Sequence, residues 1–311
     1  MKKYLCTLIL FCFPFICYVP ISLYVLPVLI EKTEGPRTEA QINKSFNNAK
    51  SRKYELIILG NSGTYRGINP DMINIPSYNF SHDNDSYDQI YYKLKWLEKN
   101  KIKIKYLVLG VDYFQFSFIS DSRNYVYAQL LGEKYNDDFK EQSIIDLFLE
   151  KSQILKIERL KYVMNIFKKK QSTTFLKSNG QYIKPGRAKM TDKHFYSINR
   201  LPVQEKYFKE ILNYCSKKNI MVFLVMLPIR QNALINYKEN EINEFNKFIR
   251  LQTNDNIYYL DFSHQSSWNV EDYTDITHLN ERAADRFSKQ LNDSIANIIK
   301  TQRLLRFYSI K

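Results

Sequence analysis

The architecture is written most plainly in Tyr54-Glu-Leu-Ile-Ile-Leu-Gly60-Asn-Ser-Gly-Thr64, an apolar run stopped by a glycine. Four further runs of this kind follow: Ser77-Tyr-Asn-Phe80, Tyr106-Leu-Val-Leu-Gly110, Asn219–Leu227 and Asn256–Phe262. Short, nearly continuous apolar strands are the mark of a sheet buried on both faces. Helical patterns fit Ser86–Asn100, Pro202–Lys218, Asn240–Thr253 and Asn280–Lys300. Ser86 with Gln89 three residues on is a capping-box signature for the first of them. Strands separated by helices predict a three-layer α/β/α domain around a five-stranded parallel sheet. No internal repeat is visible. In such sheets ligands bind beyond the carboxyl ends of the strands, so the informative residues follow Leu59, Phe80, Gly110, Leu227 and Phe262.

One interval breaks the rhythm. About ninety residues separate Gly110 from Pro202, where a single crossover needs a few dozen. The interval reads as an insertion at about 115–200, with a helix or two in Lys140–Phe167, overhanging the ligand edge of the sheet. It is strongly basic: Lys151–Arg200 holds thirteen Lys and Arg against Glu158 and Asp192, and so carries most of the chain's net charge of +14. A near-neutral α/β domain with one basic arm is expected to meet anionic lipid or anionic glycan through that arm. At 44% hydrophobic and 15% aromatic, the chain is not a disordered, fibrous or many-pass membrane protein. No nucleic-acid motif appears, so nucleic acid is not an expected partner.

Cys6, Cys12 and Cys17 lie in the first twenty residues, leaving Cys215 alone in the rest of the chain. A disulfide framework and a cysteine-rich zinc site are both excluded from the folded domain. Tyr4–Ile30 contains no charged residue and is preceded by Lys2 and Lys3. As a helix it would measure roughly 40 Å against a hydrocarbon core of about 30 Å, with Pro14, Pro20 and Pro27 as kinks. Residues 1–32 therefore read as an uncleaved signal-anchor with a cytoplasmic N-terminus and everything after Lys32 extracytoplasmic. A cleaved signal peptide is the rival, although no small-residue cleavage site is present. The polar stretch 33–52 predicts a tether, and 53–311 the domain.

Ser62 stands after the first strand between Gly60 and Gly63, placed to be an exposed nucleophile with the Gly63 backbone N–H beside it. The same residues also suit an ordinary tight turn. Asp275-Ile-Thr-His278 follows the fifth strand: histidine has the pKa of a base, and an aspartate beside it can fix its tautomer. A helix N-terminus with a capping aspartate and an idle histidine is the other reading. His82, His194 and His264 are weaker candidates for the base. Arg230, after the fourth strand, either meets an anionic substrate or lies on the solvated surface. No two histidines have metal-ligand spacing, so a metal site is not expected; no cofactor is expected.

Serine after the first strand with D-x-x-H after the fifth resembles the SGNH (GDSL-like) hydrolase superfamily, over about Tyr54 to Ile299. Within it, Gly67-Ile-Asn-Pro70 and His278-Leu-Asn280 resemble membrane-anchored members that handle acyl groups on cell-surface glycans. The D-alanyl transfer protein and the exopolysaccharide O-acetyltransferase accessory proteins belong to that subgroup. The resemblance implies an SGNH/flavodoxin-like fold, with Ser62 as nucleophile, His278 as base and Asp275 as its orienting partner. The family's N-x-x-x-x-G-x-[ST] run is here Asn79 to Ser86, with Asn84 in the glycine's place. Asparagine tolerates left-handed angles, so the Asn84 N–H can still serve the oxyanion hole. The family's G-x-N-D is here Gly110-Val-Asp112-Tyr113, and an ionised Asp112 would repel an oxyanion where an asparagine should donate to it. Asn61 replaces the first block's aspartate.

The expectation is a membrane-anchored serine esterase or O-acyltransferase of the cell envelope, with acetyl as the default acyl group. Its partners would be a cell-envelope glycan or acyl donor, membrane lipid and an integral-membrane acyltransferase. The alternative is a catalytically inactive SGNH-fold module that binds glycan or docks onto such an acyltransferase, which Asn84 and Asp112 favour.

Overall fold

The computed structural model describes residues 2–20, 38–119, 124–131, 175–189, 198–234, 237–265 and 267–309. In chain order the longer helices are α1 Lys2–Pro20, α2 Thr38–Ser51, α3 Ser62–Gly67, α4 Tyr87–Lys99, α5 Asn124–Leu131, α6 Pro202–Lys217, α7 Glu239–Arg250 and α8 Glu281–Ser309, with one further helical turn at Gln231–Leu234. The strands are β1 Leu56–Leu59, β2 Ser77–Asn79, β3 Tyr106–Gly110, β4 Phe175–Leu176, β5 Tyr182–Ile183, β6 Met221–Met226 and β7 Ile257–Asp261. The chain divides into two compact units, Met1–Gln41 with Ser122–Phe175, and Ile42–Asp121 with Leu176–Lys311.

The second unit is built on a five-stranded sheet of order β2-β1-β3-β6-β7 in which every pairing is parallel. All five strands expected from the apolar runs are present, each trimmed by a residue or more except β3. Their side chains alternate between faces. Leu56, Ile58, Val108, Phe223 and Val225 join Ala284, Phe287, Leu291 and Ile295 of α8 in one core cluster. The alternate residues, including Ile57, Leu107, Leu109, Val222 and Leu224, are fully buried on the opposite face, the side of the packed pair α4 and α6. The capping box is present at the head of α4, where the Ser86 N–H donates to Gln89 Oε1 at 3.2 Å.

The tether at 33–52 requires correction. Thr38–Ser51 is a helix, and from Ile42 onward it belongs to the α/β unit. Ile42, Phe46 and Ala49 recur at helical spacing and are buried, and the Phe46 ring meets Phe80 at 4.7 Å and Trp96 at 4.8 Å. The phenol of Tyr54 donates to Ala49 O at 3.0 Å, and that of Tyr78 to Ser45 O at 2.8 Å. A sparse apolar stripe in a polar segment is enough to seat the helix. The single domain at 53–311 is corrected too: the α/β unit starts earlier, and part of the insertion falls in the other unit.

In that first unit, α1 begins at Lys2 and exposes Tyr4, Leu10 and Phe11. Among the described residues no helix is long and apolar enough to cross a membrane, and residues 21–32 of the expected anchor lie outside them. Also outside are Lys140–Phe167, the basic run Lys168–Lys170 and His194.

Candidate active site

The sheet order reverses between β1 and β3: from β1 the chain goes to β2 on one side and then to β3 on the other. The crevice beyond the carboxyl ends of these two strands is where Ser62 and Asp112 emerge. Packing forces the turn after β1 to be small. A Cβ on Gly60 would lie 2.4 Å from Thr64 Oγ1, and one on Gly110 2.4 Å from Thr64 Cγ2. With glycine at both places, α3 starts directly at Ser62, N-capped by Asn61. Asn79 then ties α3 to β2: its Nδ2 donates to Thr64 O at 2.8 Å and Ile68 O at 2.9 Å. Asn69 ties the exit of α3 to α8 through Asp285 Oδ1 at 2.6 Å and Ser288 Oγ at 2.8 Å.

Asp275 and His278 are not one turn apart on a helix. They occupy a loop closed by an antiparallel bridge between Tyr273 and Leu279, with the Thr274 N–H donating to His278 O at 2.8 Å. The loop curls so that the N–H groups of Thr277 and His278 both donate to Asp275 Oδ1 at 3.0 Å. His278 Nδ1 lies 2.8 Å from each Asp275 oxygen, and His278 Nε2 lies 2.7 Å from Ser62 Oγ. Burial alone would raise the Asp275 carboxyl. The hydrogen bonds and charge of His278, with the Thr277 N–H, outweigh it and hold the group well below the usual carboxylate range. An ionised Asp275 requires the proton on Nδ1, which leaves Nε2 to accept from the Ser62 hydroxyl.

The oxyanion side differs from the expectation. The Gly63 N–H is turned onto Asn61 Oδ1 at 2.9 Å, because Asn61 caps α3, so in this state it is not directed at the cavity as a donor. Asp112 is an acceptor: its Oδ2 receives Asn61 Nδ2 at 2.7 Å and its Oδ1 the Gln115 N–H at 2.6 Å. Burial pushes the Asp112 carboxyl up, and the bonds from Asn61, Gln115 and Phe114 pull against it. Asn61 and Asp112, two of the three positions that differ from the resembled SGNH blocks, thus hydrogen-bond each other. Asn84 has φ of 57°, the left-handed conformation its residue type permits.

Ser62, His278, Asn84, Asp112 and Arg230 share a cavity of about 200 Å³, walled on its apolar side by Tyr113, Phe114, Leu227, Ile229 and Ile276. Arg230 is not a solvated surface residue: it is 2% exposed and donates through Nη1 to Lys189 O at 3.1 Å. Residues 179–182 of the insertion pack over α3 and β2. Tyr182 stacks on Tyr65 at 5.1 Å, Gln181 Nε2 donates to Arg66 O at 3.2 Å, and the Asn79 N–H donates to Asn179 O at 3.0 Å.

Neither His82 nor His264 pairs with Ser62. His82 is buried 2.8 Å from Lys93 Nζ, and His264 is exposed. Among the described residues no group of three His, Cys, Asp or Glu is arranged to hold a metal ion. Sequence reasoning missed Arg66, which bonds Asp83 and lies 3.6 Å from Asp275, and the buried pair of Lys93 with Asp85. Arg66 follows Ser62 by four residues, but that spacing has meaning only once the turn is known to be helical. No protein-family model matches the chain, and no curated protein matches it.

Proposed function

We propose that the protein is a serine esterase or O-acyltransferase acting by an acyl-enzyme mechanism. The observation that carries this reading is the unbroken relay of Ser62 Oγ, His278 and Asp275, with both links between 2.7 and 2.8 Å, at a cavity on the ligand edge of the sheet. Ser62 Oγ attacks an ester or thioester carbonyl while His278 Nε2 takes its proton. The protonated histidine then delivers that proton to the departing alcohol or thiol, leaving the acyl group on Ser62. Water or a sugar hydroxyl, deprotonated by the same nitrogen, attacks the acyl-enzyme, and Ser62 recovers its proton as it leaves. Asn84, which lines the same cavity, is the oxyanion donor in this reading; Gly63 joins it only when its N–H leaves Asn61.

The strand order and the relay support the SGNH/flavodoxin-like reading of the fold. With the apolar N-terminal segment and its leading lysines, the reading extends to a single-pass cell-membrane protein with the domain extracytoplasmic. There it modifies acyl groups, acetyl by default, on a cell-envelope glycan, in contact with membrane lipid and an integral-membrane acyltransferase. The engaged Gly63 N–H favours a second reading, a catalytically silent module that binds glycan or docks onto such an acyltransferase. A fluorophosphonate probe separates the two: covalent labelling of the folded protein, abolished by Ser62→Ala, is expected. Folded protein that stays unlabelled would leave only the second reading.

A further inference from the structure

Arg66 sits one turn beyond Ser62 on α3 and is 8% exposed. Its guanidinium forks onto Asp83, Nε to Oδ1 at 3.2 Å and Nη2 to Oδ2 at 2.8 Å. Its third nitrogen, Nη1, lies 3.6 Å from Asp275 Oδ2. Asp83 immediately precedes Asn84, the left-handed residue lining the cavity, and Asp85 on the other side is paired with the fully buried Lys93. The turn that presents Asn84 is therefore gripped at both ends by cations, and one of these also touches the acid of the relay.

We propose that Arg66 is a positioning residue that holds the Asn84 turn and Asp275 in register with Ser62, coupling the oxyanion side of the site to the base side. The proposal rests on the acyl-enzyme reading. A planar bidentate fork fixes direction as well as distance, which a lysine in its place does not. Small misplacement of a donor relative to a nucleophile is costly: about 1 Å can lower a rate about a hundredfold. Arg66 also offsets part of the charge on Asp275. The groups facing Asp275 are His278 and Arg66, those facing His278 are Asp275 and Asp112, and those facing Arg66 are Asp83, Asp275 and the Tyr182 ring at 5.9 Å. Without the guanidinium, Asp275 favours the imidazolium more strongly, so the acid limb of the rate profile moves to higher pH. Without the Asp83 carboxylate, Arg66 is less compensated, and the limb moves the other way.

The test uses the full chain and the rate of fluorophosphonate labelling of Ser62 across the pH range in which histidine titrates. Arg66→Gln, Arg66→Lys and Asp83→Asn are compared with the parent, with thermal unfolding as the control for folding. Slowing of about 10- to 100-fold is expected in Arg66→Gln and Asp83→Asn, with acid limbs displaced in opposite directions. Arg66→Lys is expected to slow labelling while keeping the parent's limb, since charge is retained and the fork is lost. Parent-like rates and profiles in folded variants would overturn the proposal and leave the serine reading standing. Limbs moving in the same direction would overturn it as well, because a general loosening of the fold has no sign. A folded parent protein that does not label overturns both.

Discussion

Replacing Asp275 with asparagine changes one oxygen to a nitrogen and asks a narrow question of the relay. Two backbone N–H groups, of Thr277 and His278, both point at Oδ1 from 3.0 Å, so that position must remain an oxygen. The amide nitrogen is then left at the Oδ2 position, 2.8 Å from His278 Nδ1. An NH2 group there opposes a proton on Nδ1, while the amide oxygen, also 2.8 Å from Nδ1, still accepts one, so the tautomer protonated at Nε2 competes with the productive one. Nε2 in turn faces Ser62 Oγ at 2.7 Å, where it would donate rather than accept. In that tautomer the serine loses its base, and in either one the imidazolium loses its counter-charge. In serine proteases the corresponding aspartate-to-asparagine change costs about 10⁴ in kcat, or ~5.5 kcal/mol. Here the partly exposed Asp275, 44% at its side chain, puts the expected loss nearer 10³, or ~4 kcal/mol. The assay is hydrolysis of a p-nitrophenyl ester by the full chain, with thermal unfolding alongside. A variant that folds and keeps the parent's rate within about threefold would refute the argument, since ~0.6 kcal/mol is too small for a lost base.

Three further outcomes follow from the packing. Asp88 is 1% exposed, and burial raises its pKa from 3.8 to about 6 despite contacts from Ser86 and Gln204. The folded state binds the extra proton between these values, so stability falls as pH rises from about 4 to 6, by up to ~3 kcal/mol, and Asp88→Asn should flatten that slope in denaturant titrations. Phe46→Ala should cost about 3–5 kcal/mol by urea unfolding, because the ring is 2% exposed between Phe80 and Trp96; a change below about 1 kcal/mol would return α2 to the role of a tether. Gly110→Ala places a methyl 2.4 Å from Thr64 Cγ2 and should cost about 1–3 kcal/mol while slowing fluorophosphonate labelling of Ser62, as α3 is pushed off its seat.

The sheet was legible because its strands are buried on both faces and so appear as apolar runs that need no partner to be recognised, as Leu56–Leu59 and Met221–Met226 show. The meeting of Ser62 with His278 was legible through the resemblance carried by a serine after the first strand and D-x-x-H after the fifth; residue type alone left a plain turn and an idle histidine open. Three features were not. The stripe Ile42, Phe46, Ala49 is diluted by lysines and asparagines, and average polarity hides it. Asp112, weighed alone as a failed donor, has a meaning only beside Asn61, whose amide it accepts across the crevice between β1 and β3. Arg66 gains its role from partners on two other loops, a pairing set by tertiary structure and not by any local pattern.

The relay joins residues 216 positions apart, and the order of synthesis gives that separation a temporal meaning. At about 5–20 residues per second, a growing chain displays Ser62 about 10–40 s before His278 exists. During that interval β1, β2 and β3 can pair, yet the hydroxyl has no base, and α8, which closes one face of the sheet, has not been made. On the acyl-enzyme reading, Ser62 therefore has no base until His278 has been made and brought to it.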